Sequence, residues 1–165
     1  MSGHRIAELK PMSLEIPFDV GAIEVVAGRG EPQQAAARRI AAALTARCGA
    51  DVPVVGDAAY ADWGIRPARH AIVVGSLGDN RAGEYLYYQW LTFVDSAYPG
   101  PGAYALTTLW DPWGAGPNAL IVGASDPEGL NAAAARLEAI LAGGETGIPG
   151  LHEVVYGAAW GRERE

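Results

Sequence analysis

Two stretches of the chain carry the same strand–glycine–helix pattern. His70–Asn80 reads HAIVVGSLGDN, and Asn118–Gly129 reads NALIVGASDPEG. Each is an apolar run closing on Val-Gly, followed by a short polar loop and then a helical period. Superposing the Val-Gly pairs sets Gly75 over Gly123 and Ile72-Val73-Val74 over Leu120-Ile121-Val122. Such runs are too short and too β-branched for helices, and they suit strands buried on both faces. Two units of this kind commit the chain to a sheet with helices laid on it.

The remaining elements are built around these two. Ile23–Ala27 reads as a strand closed by Gly28-Arg29-Gly30, and Pro32 suits the first turn of the helix Gln33–Cys48, which Gly49 ends. Val52–Val55 is a second short strand. After the first repeat strand the apolar period predicts a helix over about Ala82–Val94, with Leu86, Trp90 and Phe93 on one stripe and Leu91 and Val94 alongside. Pro99-Gly100-Pro101-Gly102 marks a loop, Tyr104–Leu109 a strand, and Trp110–Pro117 another loop. Asp126 then caps a last helix, with Pro127 at its first position. The expected fold is α/β (α+β): a mixed sheet of about five strands with three main helices, in the order β-α-β-β-α-β-β-α. Strands joined without a helix between them bring antiparallel pairing into the sheet. Residues 1–17 read as a lead-in, 18–144 as a single α/β domain and 145–165 as a tail.

At 165 residues, half of them hydrophobic, the chain can build a core without disulfides or metals. Its formal charge of −7 argues against nucleic acid or an anionic membrane as partner. Cys48 is the only cysteine, so an internal disulfide and a cysteine zinc site are excluded. Met1–Pro17 is charged and lacks the apolar run of a signal peptide, and no stretch is long enough to span a bilayer. A complete chain of this composition is expected in the cytoplasm; the other reading is a piece of a larger protein.

No catalytic constellation stands out. Gly75-Ser76-Leu77-Gly78 lacks the Gly-Lys-Ser/Thr ending of a phosphate loop, and Gln33 occupies the third glycine position of a dinucleotide pattern begun by Gly28 and Gly30. His4, His70 and His152 stand in no metal-binding frame, and no Gly-x-Ser-x-Gly elbow is present. No cofactor, metal or catalytic residue is therefore expected. The loops after the repeat strands offer candidate ligand-binding residues: Ser76, Asp79, Asn80, Ser125 and Asp126. If the two strands run the same way, both loops open on one sheet edge, where α/β folds bind ligands. The aromatics suggest a second kind of surface. Tyr85, Tyr87, Tyr88 and Trp90 crowd one helix, and Trp110, Asp111 and Trp113 are expected to form an interaction surface on a turn-rich loop. Aromatic faces beside carboxylates suit stacking on sugar rings; the other reading is that Trp90 packs in the core and Trp113 pins its loop or meets a neighbouring domain.

The segment PGPGAYALTTLWDPWGAGPNALIVGASDPEGLNAAAARL resembles the small α/β domain that precedes the catalytic domain in carbohydrate-active enzymes, among them α-glucuronidases and β-N-acetylhexosaminidases. Gly102, Tyr104, Asn118, Ile121, Gly123, Asp126, Gly129 and Ala133 follow that domain's run in order. The likeness extends over roughly Ile23–Leu141. It implies a non-catalytic accessory domain of a glycoside hydrolase or polysaccharide-degrading protein, supporting a catalytic domain or contacting glycan. No family catalytic residue maps onto this chain. The alternative reading is a stand-alone module that holds a small ligand at the loops after the repeat strands.

Overall fold

The computed structural model describes residues 13–19, 21–143 and 146–157; residues 1–12 of the lead-in and 158–165 of the tail lie outside it. The strands are β1 (Ile16–Pro17), β2 (Ile23–Ala27), β3 (Val54–Gly56), β4 (His70–Val74), β5 (Tyr104–Leu109), β6 (Ala119–Ala124), β7 (Gly147–Ile148) and β8 (His152–Val155). The helices are α1 (Glu31–Cys48), α2 (Arg81–Tyr88) and α3 (Pro127–Leu141), with a 3₁₀ turn at Asp57–Tyr60. Six strands form the main sheet in the order β3-β2-β4-β6-β5-β8, and β1 pairs with β7 in a small second sheet. No helix among the described residues is long and apolar enough to cross a membrane.

The fold is the expected mixed α/β architecture, with a slightly larger sheet. The repeat strands β4 and β6 lie side by side and parallel, with Ile72 opposite Leu120 and Val74 opposite Val122. The matched triplets of the sequence repeat are thus matched rungs of the ladder. Alternate residues point to opposite faces. Val25, Ile72, Val74, Leu120 and Val122 meet α1 and α3 on one side. Val26, Val73 and Ile121 meet Leu86 of α2, together with Tyr60 and Trp113, on the other. Helices therefore cover both faces of the parallel core, which explains why its strands are continuous apolar runs.

Three details differ from the sequence expectations. Antiparallel pairing enters at β5–β6 as expected, but β3 and β4 do not pair; both run parallel to β2, on opposite sides of it. Residues read as tail supply β7 and β8, the latter an edge strand beside β5, while Ile16 of the lead-in packs into the core. Helix α2 stops at Tyr88, well short of Val94. Its end is a Schellman turn: the Trp90 N–H donates to the Tyr87 carbonyl and the Leu91 N–H to that of Leu86. Trp90 takes the left-handed position of that turn, with φ 61°. The chain leaves the helix there, so Trp90 and Phe93 are exposed while Leu86 and Val94 stay buried.

Candidate functional site

Because β2, β4 and β6 are parallel, the loops leaving their C-terminal ends share one edge. From β2 the chain passes through α1 to β3 on one side; from β4 it passes through α2 to β5 and β6 on the other. The connections diverge between β2 and β4, the place where open α/β sheets form ligand crevices. Asn80 occupies that gap and is fully buried. Its amide nitrogen donates to the carbonyls of Val26 (3.0 Å) and Val74 (2.9 Å), tying the two strands together. Its Oδ1 accepts from Ala82 and Gly83 and so caps α2. All four hydrogen-bonding positions of the amide are filled by the framework.

The neighbouring predicted residues converge around a cavity of about 220 Å³ lined by Gln33, Gly75, Asp79, Ser125, Asp126 and Leu130, among others. Asp79 Oδ1 accepts from the Ser76 N–H (2.6 Å), and Oδ2 accepts from the Gln33 amide (2.5 Å) and the Ser76 hydroxyl (3.3 Å). Burial pushes the Asp79 carboxyl up, opposed by these donors and by Arg29. Gly75, at φ 133°, has no room for a side chain, since a Cβ there would meet the Asp79 carboxylate. Across the cavity, Asp126 accepts from Gly129 at the start of α3 and from Gly102, both at 2.8 Å, while Ser125 accepts from Gly100 at 3.0 Å. The structure thus brings Asp79, Ser125 and Asp126 to one cavity. Ser76 stands behind Asp79, and Asn80 lies beneath the floor of the loop. Gln33 is a lining residue with a polar side chain that the sequence reading did not single out as a ligand candidate. Its signal was its place in the broken Gly28-x-Gly30-x-x-Gln33 pattern, at the start of a helix facing the same edge.

A second surface lies on the α2 side of the sheet. Trp113 is not part of it, contrary to expectation. It is only 3 % exposed, packed against Tyr60 and Tyr85 with ring centroids 5.4 and 6.2 Å away. The domain's own aromatics cover this loop residue, and among the described residues its indole N–H has no hydrogen-bond partner. Trp110 is exposed as expected. The Asp111 carboxylate is turned inward, accepting from the N–H groups of Ala115 and Gly116, and so closes the loop.

From Tyr85 the aromatics continue outward in unbroken contact. Trp63 meets Tyr85 and Tyr88, Tyr87 meets Tyr88 and Phe93, and Phe93 meets Trp90, all with centroids 5.8–6.5 Å apart. Trp63, Tyr88, Trp90 and Phe93 are exposed, Trp90 by 79 %. The Tyr87 hydroxyl donates to Asp95 at 3.2 Å, and partial burial together with this bond pushes its phenol up. Tyr87, Tyr88, Trp90 and Phe93 line a cavity of about 270 Å³. The sequence pointed to the crowding of Tyr85, Tyr87, Tyr88 and Trp90, but it set Trp90 and Phe93 on the apolar stripe of a helix running to Val94 and gave Trp63 no role.

The chain matches no protein-family model and no curated protein.

Proposed function

We propose that the chain is a non-catalytic α/β domain of a carbohydrate-processing protein, and that its α2 face contacts glycan. The observation that carries this is the continuous aromatic surface from Trp63 to Trp90, most of it exposed. A soluble domain seldom leaves so many large rings together in water without a ligand or partner for them. Tyrosine and tryptophan offer π faces to the C–H faces of a sugar ring and polar edges to its hydroxyls. The motif run from Gly102 to Ala133 supports the carbohydrate setting, and the carboxylates of the crevice act as caps and loop clasps rather than as a paired acid and base. The test is a glycan panel read by affinity electrophoresis and by hydrolysis of aryl glycosides. Retardation that is lost in Trp90→Gly, with no turnover, is the expected result. Hydrolysis abolished by Asp111→Asn or Asp126→Asn overturns the non-catalytic reading, and absence of any binding overturns the glycan reading.

The cavity on the sheet edge favours a second reading, a small-ligand module using the loops after β4 and β6. Ser125 lines that cavity, and its hydroxyl, which accepts from Gly100, has a hydrogen of its own that a ligand could accept. Thermal shifts with nucleotides and monosaccharides, abolished by Ser125→Ala and unaffected by Trp90→Gly, identify this case.

A further inference from the structure

We infer that the α2 face receives a single neutral sugar residue at the end of a chain, and not the interior of a polysaccharide; this rests on the glycan reading above. The shape of the aromatic surface decides between the two. The interior of a linear polymer is bound by rings lying in one plane, along which successive residues stack. Here neighbouring rings stand nearly upright to one another: Tyr87 to Tyr88 at 80°, Tyr87 to Phe93 at 74° and Trp90 to Phe93 at 64°. Rings so inclined form walls. The open recess that they border, about 270 Å³, is lined by these four among the described residues and lies below the ~300–1,000 Å³ of pockets that take drug-sized ligands, which leaves room for one sugar ring and not for several.

Its chemistry selects a neutral occupant. None of the four walls is cationic, the Asp95 carboxylate accepts from the Tyr87 hydroxyl, and the chain as a whole carries −7. A uronate or a sulfated sugar would bring its anion against this field without a compensating arginine in the wall. Neutral hydroxyls can bond to the tyrosine and indole edges while the C–H face of the ring packs on Trp90.

The placement of Trp90 points the same way. It holds the left-handed position of the α2 Schellman turn, which glycine fills without strain, and its ring is mostly in solvent. Neither backbone geometry nor core packing calls for tryptophan there. A wall of the cavity does.

The experiment titrates the full chain, by calorimetry and affinity electrophoresis, with methyl glycosides of glucose, galactose, mannose and xylose. It also uses neutral β-1,4-linked hexasaccharides, the matching long polymers before and after partial hydrolysis, and oligoglucuronate. Binding by a neutral hexasaccharide is expected, with capture by the polymer rising in proportion to the number of ends released. Trp90→Gly should weaken it about tenfold or more, as loss of a central aromatic anchor does, without lowering the melting temperature. Polymer binding that does not change with the number of ends overturns this inference and leaves the glycan reading standing. So does a preference for oligoglucuronate. No binding by any glycan overturns both.

Discussion

Replacing Asn80 with alanine removes a buried bridge whose parts can be weighed one by one. The side chain caps α2 through the Ala82 and Gly83 N–H groups, and loss of an N-cap costs about 1 kcal/mol. It also donates to the Val26 and Val74 carbonyls. Val74 keeps the Gly28 N–H as a second partner, and taking each emptied acceptor at the lower end of its penalty gives about 1 kcal/mol per carbonyl. The sum is about 3 kcal/mol, a substantial part of the ~5–15 kcal/mol that holds a domain together. For a chain of this size it lowers the melting temperature by roughly 6–12 °C, at about 2–4 °C for each kcal/mol. Asn80→Asp separates the two roles. Aspartate caps a helix as well as asparagine, yet at neutral pH it turns a bare oxygen towards two carbonyls. Thermal denaturation followed by circular dichroism should find Asn80→Asp less stable than Asn80→Ala at pH 8. It should recover as the pH falls and the carboxyl gains a proton to donate. The bridge between β2 and β4 is refuted if Asn80→Asp melts with the wild type at pH 8, or if Asn80→Ala costs less than about 0.5 kcal/mol, the range of inert substitutions.

Trp90→Gly relieves a left-handed backbone position worth about 1–2 kcal/mol and gives up little buried ring surface, so its melting temperature should equal or exceed that of the wild type; a large fall places the ring in the core after all. Val122 is fully buried between α3 and the sheet, and an unpaired carboxylate there costs at least several kcal/mol; Val122→Asp should not fold, and a soluble variant with unchanged melting refutes the central position of β6. Burial lowers the pKa of His70, and the Asn118 N–H donated to its Nδ1 at 2.8 Å needs the neutral ring. The folded state then binds fewer protons than the unfolded chain, so this stability is complete above the ordinary histidine pKa and is lost as pH falls through the lowered one. His70→Asn keeps an acceptor for Asn118 without titrating, and melting curves between about pH 7 and 5 should fall less steeply in the variant than in the wild type.

What was legible in the sequence follows from how local the signals are. The β-branched runs Ile72–Val74 and Leu120–Val122, the Asp126-Pro127 start of α3 and the Gly49 stop of α1 each carry their structural cause within a few residues. β8 does not. His152 and Val155 are exposed, Glu153 reaches Arg136 and Tyr104, and the strand exists because β5 offers it an edge. The loop carboxylates were legible as candidates and no further, because capping a helix and holding a ligand use the same oxygens. Only the partners of Asp79 and Asp126 tell which donors they serve.

The end of α2 was misread for a more instructive reason. An apolar period marks a buried stripe only while the helix that generates it continues. Leu86, Trp90 and Phe93 keep the spacing, yet no glycine announces the turn at Trp90, and past that turn Trp90 and Phe93 face outward while Leu86 stays buried. A glycine at position 90 would have made both the stop and the exposure readable, at a gain to the backbone. Tryptophan there conceals the stop and strains the chain, and it yields no core contact in return. That combination is hard to account for by folding alone. The proposed binding wall gives this tryptophan a use that the fold does not.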